Sequence, residues 1–230
     1  MKTLLTYRMV FLLASLICSV SMINAQKQTK EIKKDFSISK GDILKIENKF
    51  GNIDVNNWDK EEISVSVKLN AESKNPETTR GIIDNMFITD EKEGNTIFLK
   101  TNLEKISEIS NGSNFSTDYI IYVPKWINLD LNNKYGNINI EEITGNVAID
   151  LKHGNLIAML LQNKHDQSFN KLNLSYSNGV IEDAGNMQVF LSFSKLEIEE
   201  SGIIESESKY SGINVSSCNS LITLSKYDNF

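Results

Sequence analysis

The chain has 230 residues, with 24 Lys and Arg against 30 Asp and Glu and a formal net charge of −6. An acidic chain without a basic cluster argues against nucleic-acid binding and against electrostatic docking on anionic lipid. Only two cysteines are present, which is too few for a disulfide framework.

Residues 1–25 have the pattern of a secretory signal peptide. Lys2 and Arg8 supply positive charge, residues 9–17 form an apolar core, and Ala25 ends a small-residue cleavage site. The pattern predicts an exported protein, placed in the periplasm, on the outer surface or in the medium. The apolar run is shorter than the roughly 20 residues of a membrane helix, so no span is expected after cleavage. A retained anchor and lipidation at Cys18 are the alternatives.

The segments that follow the signal peptide differ in composition and in apolar pattern. Residues 26–35 are polar and charged, which predicts a flexible N-terminus. Apolar alternation over 36–69 predicts the first strands and a first repeat unit. Residues 70–128 are predicted to be an inserted β-rich segment with one short helix near 76–86, where Asn75 precedes Pro76 as a helix cap.

From 129 to 230 the chain repeats itself. A ring-bearing residue recurs with spacings of 18, 23, 17, 17 and 17 residues, at Tyr135, His153, Tyr176, Phe193, Tyr210 and Tyr227. Apolar residues alternate before each ring, as Val147, Ile149 and Leu151 do before His153. Short strands at a constant period predict an all-β fold, a β-solenoid with coils of about 17 residues. A β-sandwich with evenly spaced strands is the competing architecture.

Two features of the repeat concern candidate sites. The six ring-bearing residues predict a structural aromatic ladder, and their phase with the apolar residues places the rings inside the coils. The 23-residue spacing exceeds the period by six, which predicts a protruding loop around Lys164, His165 and Asp166.

Little in the sequence indicates chemistry. The His165 and Asp166 pair lacks an activated serine and an oxyanion signature, so no catalytic residue is predicted. The predicted turns carry Asn, Ser and Gly with few Asp, so no calcium or other metal site is expected. No cofactor is expected either, and the acids near Glu197 and Glu199 fall on an outward strand face. The protein is therefore predicted not to be an enzyme.

The order of these motifs resembles the "putative adhesin" family of exported bacterial proteins. The resemblance rests on Phe36 to Ile46, the Phe-Gly-Asn-Ile phrase at Phe50, Trp58, and the Gly-Asn-Ile repeats such as the one at Gly136. It implies a cell-envelope β-solenoid over about residues 35–230, with an adhesin-like or scaffold or envelope-sensing role.

The expected partner is an envelope or surface protein or a glycan, with self-association through the C-terminal solenoid edge as a further contact. The alternative function is a carbohydrate-binding or polysaccharide-cleaving β-helix. Ring-bearing residues exposed as a strip would favour sugar binding, whereas rings between coils would disfavour it.

Overall fold

The computed structural model describes residues 26–103, 105–110, 112–163 and 168–227, which hold sixteen strands and two short helices. The predicted signal peptide and Lys164, His165 and Asp166 lie outside these residues. The helices are α1 (Pro76–Asp84) and α2 (Ile106–Ile109). The strands are β1 (Gln26–Ser37), β2 (Ile43–Phe50), β3 (Ile53–Asn57), β4 (Glu62–Ser73), β5 (Phe87–Glu93), β6 (Thr96–Asn102), β7 (Asn114–Val123), β8 (Asn128–Tyr135), β9 (Ile138–Ile143), β10 (Val147–Lys152), β11 (Asn155–Leu161), β12 (Asn170–Ser175), β13 (Asn178–Ala184), β14 (Met187–Ser192), β15 (Lys195–Lys209) and β16 (Gly212–Lys226).

The predicted all-β class with a short helix is confirmed. Helix α1 begins where the sequence predicts, because the Asn75 side chain accepts a hydrogen bond from the Glu77 N–H and Pro76 needs no donor partner in the first turn. Helix α2 is a single turn. Within the described ranges, no helix is long and apolar enough to cross a membrane.

All strands belong to one open and mostly parallel sheet. Its order is β1-β4-β7-β3-β9-β11-β13-β15-β14-β12-β10-β8-β2-β6-β5, with β16 paired to β15. Three pairs are antiparallel, namely β1–β4, β4–β7 and β5–β6. The sheet turns back at β15, whose first half pairs with β13 and whose second half pairs with β14. Two layers therefore face each other across a shared apolar core.

Alternation decides which side chains enter that core. In β10, Val147, Ile149 and Leu151 are buried while the residues between them face outward, as a period of two requires. Ile149 pairs in register with Leu131 of β8 and with Leu172 of β12. Inward residues of successive strands thus lie side by side, and each strand contributes to a continuous core.

Residues 26–35, predicted to be flexible, lie instead within β1. This strand pairs with β4 in antiparallel register along its whole length, which satisfies the backbone groups that a frayed segment would leave to water. Ile32 and Phe36 pack against the core. The many lysines that suggested a flexible segment are typical of an edge strand, where charge discourages pairing with other chains.

The corner after β2, β8 and β10 allows close approach of one backbone to the next. A Cβ added to Gly136 would lie 2.0 Å from the Gly51 carbonyl oxygen, and one added to Gly154 would lie 2.0 Å from the Gly136 carbonyl oxygen. In the following corners this position is occupied by buried serines, Ser177, Ser194 and Ser211. The corner therefore changes from a glycine column to a serine column along the stack.

Each serine hydroxyl links two corners. The Ser194 hydroxyl accepts from the Ser177 N–H at 3.1 Å and donates to the Ser192 carbonyl at 2.8 Å. Ser177 makes the same donation to Ser175 within its own corner. The hydroxyl thus satisfies backbone groups that the turn would otherwise leave unpaired in a buried position.

We expect Ser194→Ala to lower the free energy of unfolding by about 1–3 kcal/mol, because it leaves the Ser177 N–H buried without an acceptor. Urea denaturation followed by circular dichroism measures the loss. The matched control is Ser192→Ala, since Ser192 accepts through its backbone and its side chain faces outward; this change is expected to stay within about 0.5 kcal/mol. Equal losses in both variants would show that the hydroxyl link contributes nothing.

Candidate functional site

The six predicted ring-bearing residues form one stack. Tyr135, His153, Tyr176, Phe193, Tyr210 and Tyr227 follow one another with ring centroids 5.0 to 5.2 Å apart and nearly parallel planes. Phe50 extends the stack beyond Tyr135 at 5.1 Å. The described structure places this aromatic ladder on the outside of the corner, with Tyr176 57% exposed. The expectation that the rings point inward is wrong.

The direction of the rings has a backbone cause. Five of the ring residues have positive φ values, between 49° and 60°. A residue in the left-handed conformation breaks the alternation of the preceding strand. Alternation alone would place the His153 ring on the same side as Leu151, and the left-handed conformation turns it outward. At Tyr135 the following glycine, Gly136, takes the positive φ of 141° instead. The left-handed conformation costs each of the five ring residues about 1–2 kcal/mol. Ring stacking of about 0.5–1.5 kcal/mol per pair offsets this cost.

Exposure of the ladder does not free the ring faces of its interior members. Each interior ring is covered on both faces by its neighbours, so the ladder presents ring edges and phenol hydroxyls to solvent. Lys134, Lys209 and Lys226 lie 5.5 to 5.9 Å from the centroids of the adjacent tyrosines. The rings are exposed as a strip, which is the arrangement expected to favour sugar binding. Sugar rings stack on aromatic faces, however, and the faces of the interior rings are already covered.

A first groove lies on the outward face of β10, β12, β14 and the second halves of β15 and β16. It has a volume of about 860 Å³. The two acids that line it, Asp150 and Glu207, occupy one outward row but lie three strands apart, a separation of about 14 Å. The two carboxyl groups of a glycoside hydrolase stand roughly 5–9.5 Å apart. Asp150 and Glu207 therefore cannot act as such a pair.

A second groove, the β3–β9 groove, lies on the opposite face. It has a volume of about 480 Å³. Its floor consists of short polar side chains of β3 and β9, and its walls are apolar side chains of β7 and β11. The floor residues are Asp54, Asn56, Asn139 and Glu141, and the wall residues are Ile120, Tyr122, Ile157 and Met159.

Strand register creates this groove. Asp54 pairs with Ile120 on one side and with Asn139 on the other, and Asn139 pairs with Ile157. One outward row thus runs from a large apolar residue across two short polar ones to a large apolar residue. A concave strip with a polar floor follows from these side-chain lengths.

The floor side chains are held by hydrogen bonds. The Asn139 amide donates to Asp54 Oδ1 at 2.6 Å, and the Asn56 amide donates to the Ile121 carbonyl at 3.2 Å. Glu141 Oε2 accepts from the Asn57 N–H at 2.7 Å. These bonds fix the floor before any ligand arrives.

The walls are unusually apolar for an outward face. Ile157 is 55% exposed and Met159 is 47% exposed. Opposite them, the Tyr122 ring contacts Trp58 with centroids 5.6 Å apart. These neighbouring exposed apolar side chains make the wall a candidate contact surface.

The sequence reasoning did not single out the β3–β9 groove. One signal was available: residues 156–161 of β11 are an unbroken apolar run where alternation would place polar residues outward. The floor carried no comparable signal, because β3 and β9 are 85 residues apart in the chain.

In the described part of the chain, three or more His, Cys, Asp or Glu side chains nowhere come together. The floor of the β3–β9 groove holds two carboxylates and two amides, which is a set suited to hydrogen bonding.

No protein-family model matches the chain, and no curated protein matches it. Solved structures similar to it include a "putative cell adhesion protein" from Clostridium sporogenes, with 10% identity, a TM-score of 0.37, and coverage of 88% of this chain and 100% of that one. A "putative adhesin" from Parabacteroides merdae has 9% identity, a TM-score of 0.35, and coverage of 87% and 97%. A "putative lipid binding protein" from Parabacteroides distasonis has 13% identity, a TM-score of 0.25, and coverage of 90% and 98%.

Two of these descriptions name adhesion, in agreement with the family resemblance predicted from the sequence, and the third names lipid binding.

Proposed function

We propose that this protein is an exported, non-enzymatic β-solenoid of the bacterial cell envelope that binds a macromolecular partner through the outward face that carries the β3–β9 groove. Its role would be adhesin-like or that of a scaffold or envelope sensor. The solenoid interpretation is supported by parallel pairs that repeat in register at 17 residues, as Val189 does with Ser206. Export is supported by the pattern of residues 1–25.

The observation that carries the proposal is the exposed apolar wall of the β3–β9 groove. Ile157, Met159 and Val180 stand outward on neighbouring strands, each about half exposed. Apolar side chains on the solvent side of a sheet stabilise the fold by only about 0.2–1 kcal/mol per cross-strand pair, whereas burying them against a partner contributes roughly 25 cal/mol per Å². A binding face explains why they are there.

A polysaccharide-cleaving function fits the groove less well. Such enzymes need a carboxyl group that stays protonated, usually within apolar surroundings, to act as general acid. Asp54 and Glu141 each accept an N–H hydrogen bond, and both line an open groove instead of an apolar enclosure. Two carboxylates held in this way are better suited to recognition.

The test is binding of the fluorescently labelled chain from residue 26 to 230 to cells of the bacterium that produces it. The double variant Ile157→Ser and Met159→Ser removes the wall, and we expect it to weaken binding by roughly tenfold or more. The matched control, Phe190→Ser and Leu224→Ser, removes exposed apolar side chains from the other face and is expected to bind as the unchanged chain does.

Equal binding by the unchanged chain and both double variants would contradict the proposal. Release of soluble sugar from purified envelope polysaccharide by the unchanged chain would replace it with the cleaving alternative.

A further inference from the structure

The floor of the β3–β9 groove presents hydrogen-bond acceptors. A carboxylate can only accept, so the Asn139 amide nitrogen must face Asp54, and the Asn139 oxygen is turned away. The Ile121 carbonyl can also only accept, so Asn56 likewise turns its nitrogen to the protein and keeps its oxygen. Asp54 and Glu141 each retain a second carboxylate oxygen beside the one that is bonded.

The groove is also negatively charged. Two carboxylates lie on its floor, and no Lys or Arg is among the residues that line it. Lys125 lies near Glu141 outside the groove, but its ammonium group is hydrogen-bonded to Glu142. A ligand with several donors and a positive charge would match this floor, whereas an anion would be repelled.

The walls suit the stem of a long cationic side chain. Ile157 and Met159 offer apolar contact for methylene groups, and the Tyr122 and Trp58 pair stands opposite. Trp58 already holds an ammonium group of this chain, because Lys60 Nζ lies 4.4 Å from its ring centroid. Aromatic rings attract cations in this geometry. One wall of the groove is therefore next to a ring that binds ammonium within the protein.

The dimensions fit an extended peptide. The walls on β7 and β11 are three strand spacings apart, or about 14 Å between backbones, and the floor strand β3 is five residues, or about 17 Å, long. The wall side chains occupy part of this width, and the remaining space is wide enough for one extended chain. Alternate side chains of such a chain would point to the floor.

We propose that the β3–β9 groove binds an extended basic segment of a partner protein, in which Lys or Arg side chains reach Asp54 and Glu141 and apolar residues contact the walls. This inference rests on the proposed function and names the chemistry of the partner. Glycans are the competing occupants, and the experiment separates the two.

The probe is the peptide acetyl-Val-Lys-Val-Arg-Val-amide, titrated calorimetrically into the chain from residue 26 to 230. Acetyl-Val-Glu-Val-Glu-Val-amide and a neutral β-linked glucose pentasaccharide are the comparison ligands. We expect the basic peptide to bind, the acidic peptide not to bind, and raising NaCl from about 0.05 to about 0.5 M to weaken the basic peptide severalfold.

The decisive variant is Asp54→Asn with Glu141→Gln. Both amides keep an oxygen that can accept the present hydrogen bonds, so an unchanged melting temperature is expected. Binding of the basic peptide should fall by roughly tenfold or more. The matched control is Asp150→Asn with Glu207→Gln, which removes two charges from the other groove and should leave binding unchanged.

Three outcomes would overturn the inference: no binding of the basic peptide, equal binding to the unchanged chain and the groove variant, or binding of the pentasaccharide in preference to the peptide. The proposed function would survive any of these if cell binding still depended on Ile157 and Met159. The proposed function would fail separately if cell binding did not depend on Ile157 and Met159.

Discussion

Val189→Asp is expected to unfold the stacked strands around β14. Val189 is fully buried and lies between Leu172 of β12 and Ser206 of β15. The change removes apolar burial of about 1.5–3 kcal/mol and places a carboxylate where nothing solvates it, at a further cost of several kcal/mol. We therefore expect the free energy of unfolding to fall by more than about 4 kcal/mol, which is large for one residue. Urea denaturation followed by far-UV circular dichroism measures it.

The matched control for this change is the neighbouring residue. Gln188 faces outward and pairs across the strands with Lys171 and Glu205. Because it has one partner of each charge, Gln188→Asp should change the free energy of unfolding by no more than about 0.5 kcal/mol. If the two variants melted alike, the inward assignment of Val189 would be wrong.

Gly136→Ala is the second change with a large expected effect. The added methyl carbon would lie 2.0 Å from the Gly51 carbonyl oxygen, and Gly136 has a φ of 141°. To relieve this contact, the corners after β2 and β8 must move apart. That movement also strains the hydrogen bond of 2.9 Å that the Gly51 N–H donates to the Tyr135 carbonyl. We expect a loss of at least about 3 kcal/mol, because overpacking and a disfavoured backbone act together. Differential scanning calorimetry measures the change in melting temperature.

Gly94→Ala measures the cost of a left-handed backbone without a steric contact. Gly94 also has a positive φ, 59°, but an added Cβ would meet no atom within 4 Å. This control should therefore cost only the backbone part, about 1–2 kcal/mol. A loss at Gly136 no larger than the loss at Gly94 would show that the close approach of the corners is not limiting.

Much of the strand pattern could be predicted because alternation is a local property. Val147, Ile149 and Leu151 are buried as their parity requires. The repeated phrase at Phe50 and Tyr135 also contains information about which strands are neighbours. These two residues pair in register and their rings stack at 5.1 Å, so similar phrases mark neighbouring corners.

What could not be predicted depends on backbone conformation and on distant pairing. Nothing in the alternation shows that His153 adopts a left-handed conformation, and this conformation turns the ring outward. The charged composition of 26–35 suggests flexibility unless β4 is known to lie alongside. The β3–β9 groove needs Asp54 next to Asn139, a contact across 85 residues that strand periodicity does not encode.

The unequal chain distances between neighbouring strands have a kinetic consequence. Neighbouring corners late in the chain are joined across 17 residues, as Ser177 and Ser194 are, whereas β3 meets β9 across 85. Closing the longer loop costs about 1.4 kcal/mol more chain entropy, and contacts between distant residues slow folding. We therefore expect refolding to nucleate among β12 to β16 and the N-terminal strands to dock last. During synthesis, β2 and β3 would remain without their pairing partners until β8 and β9 had been made.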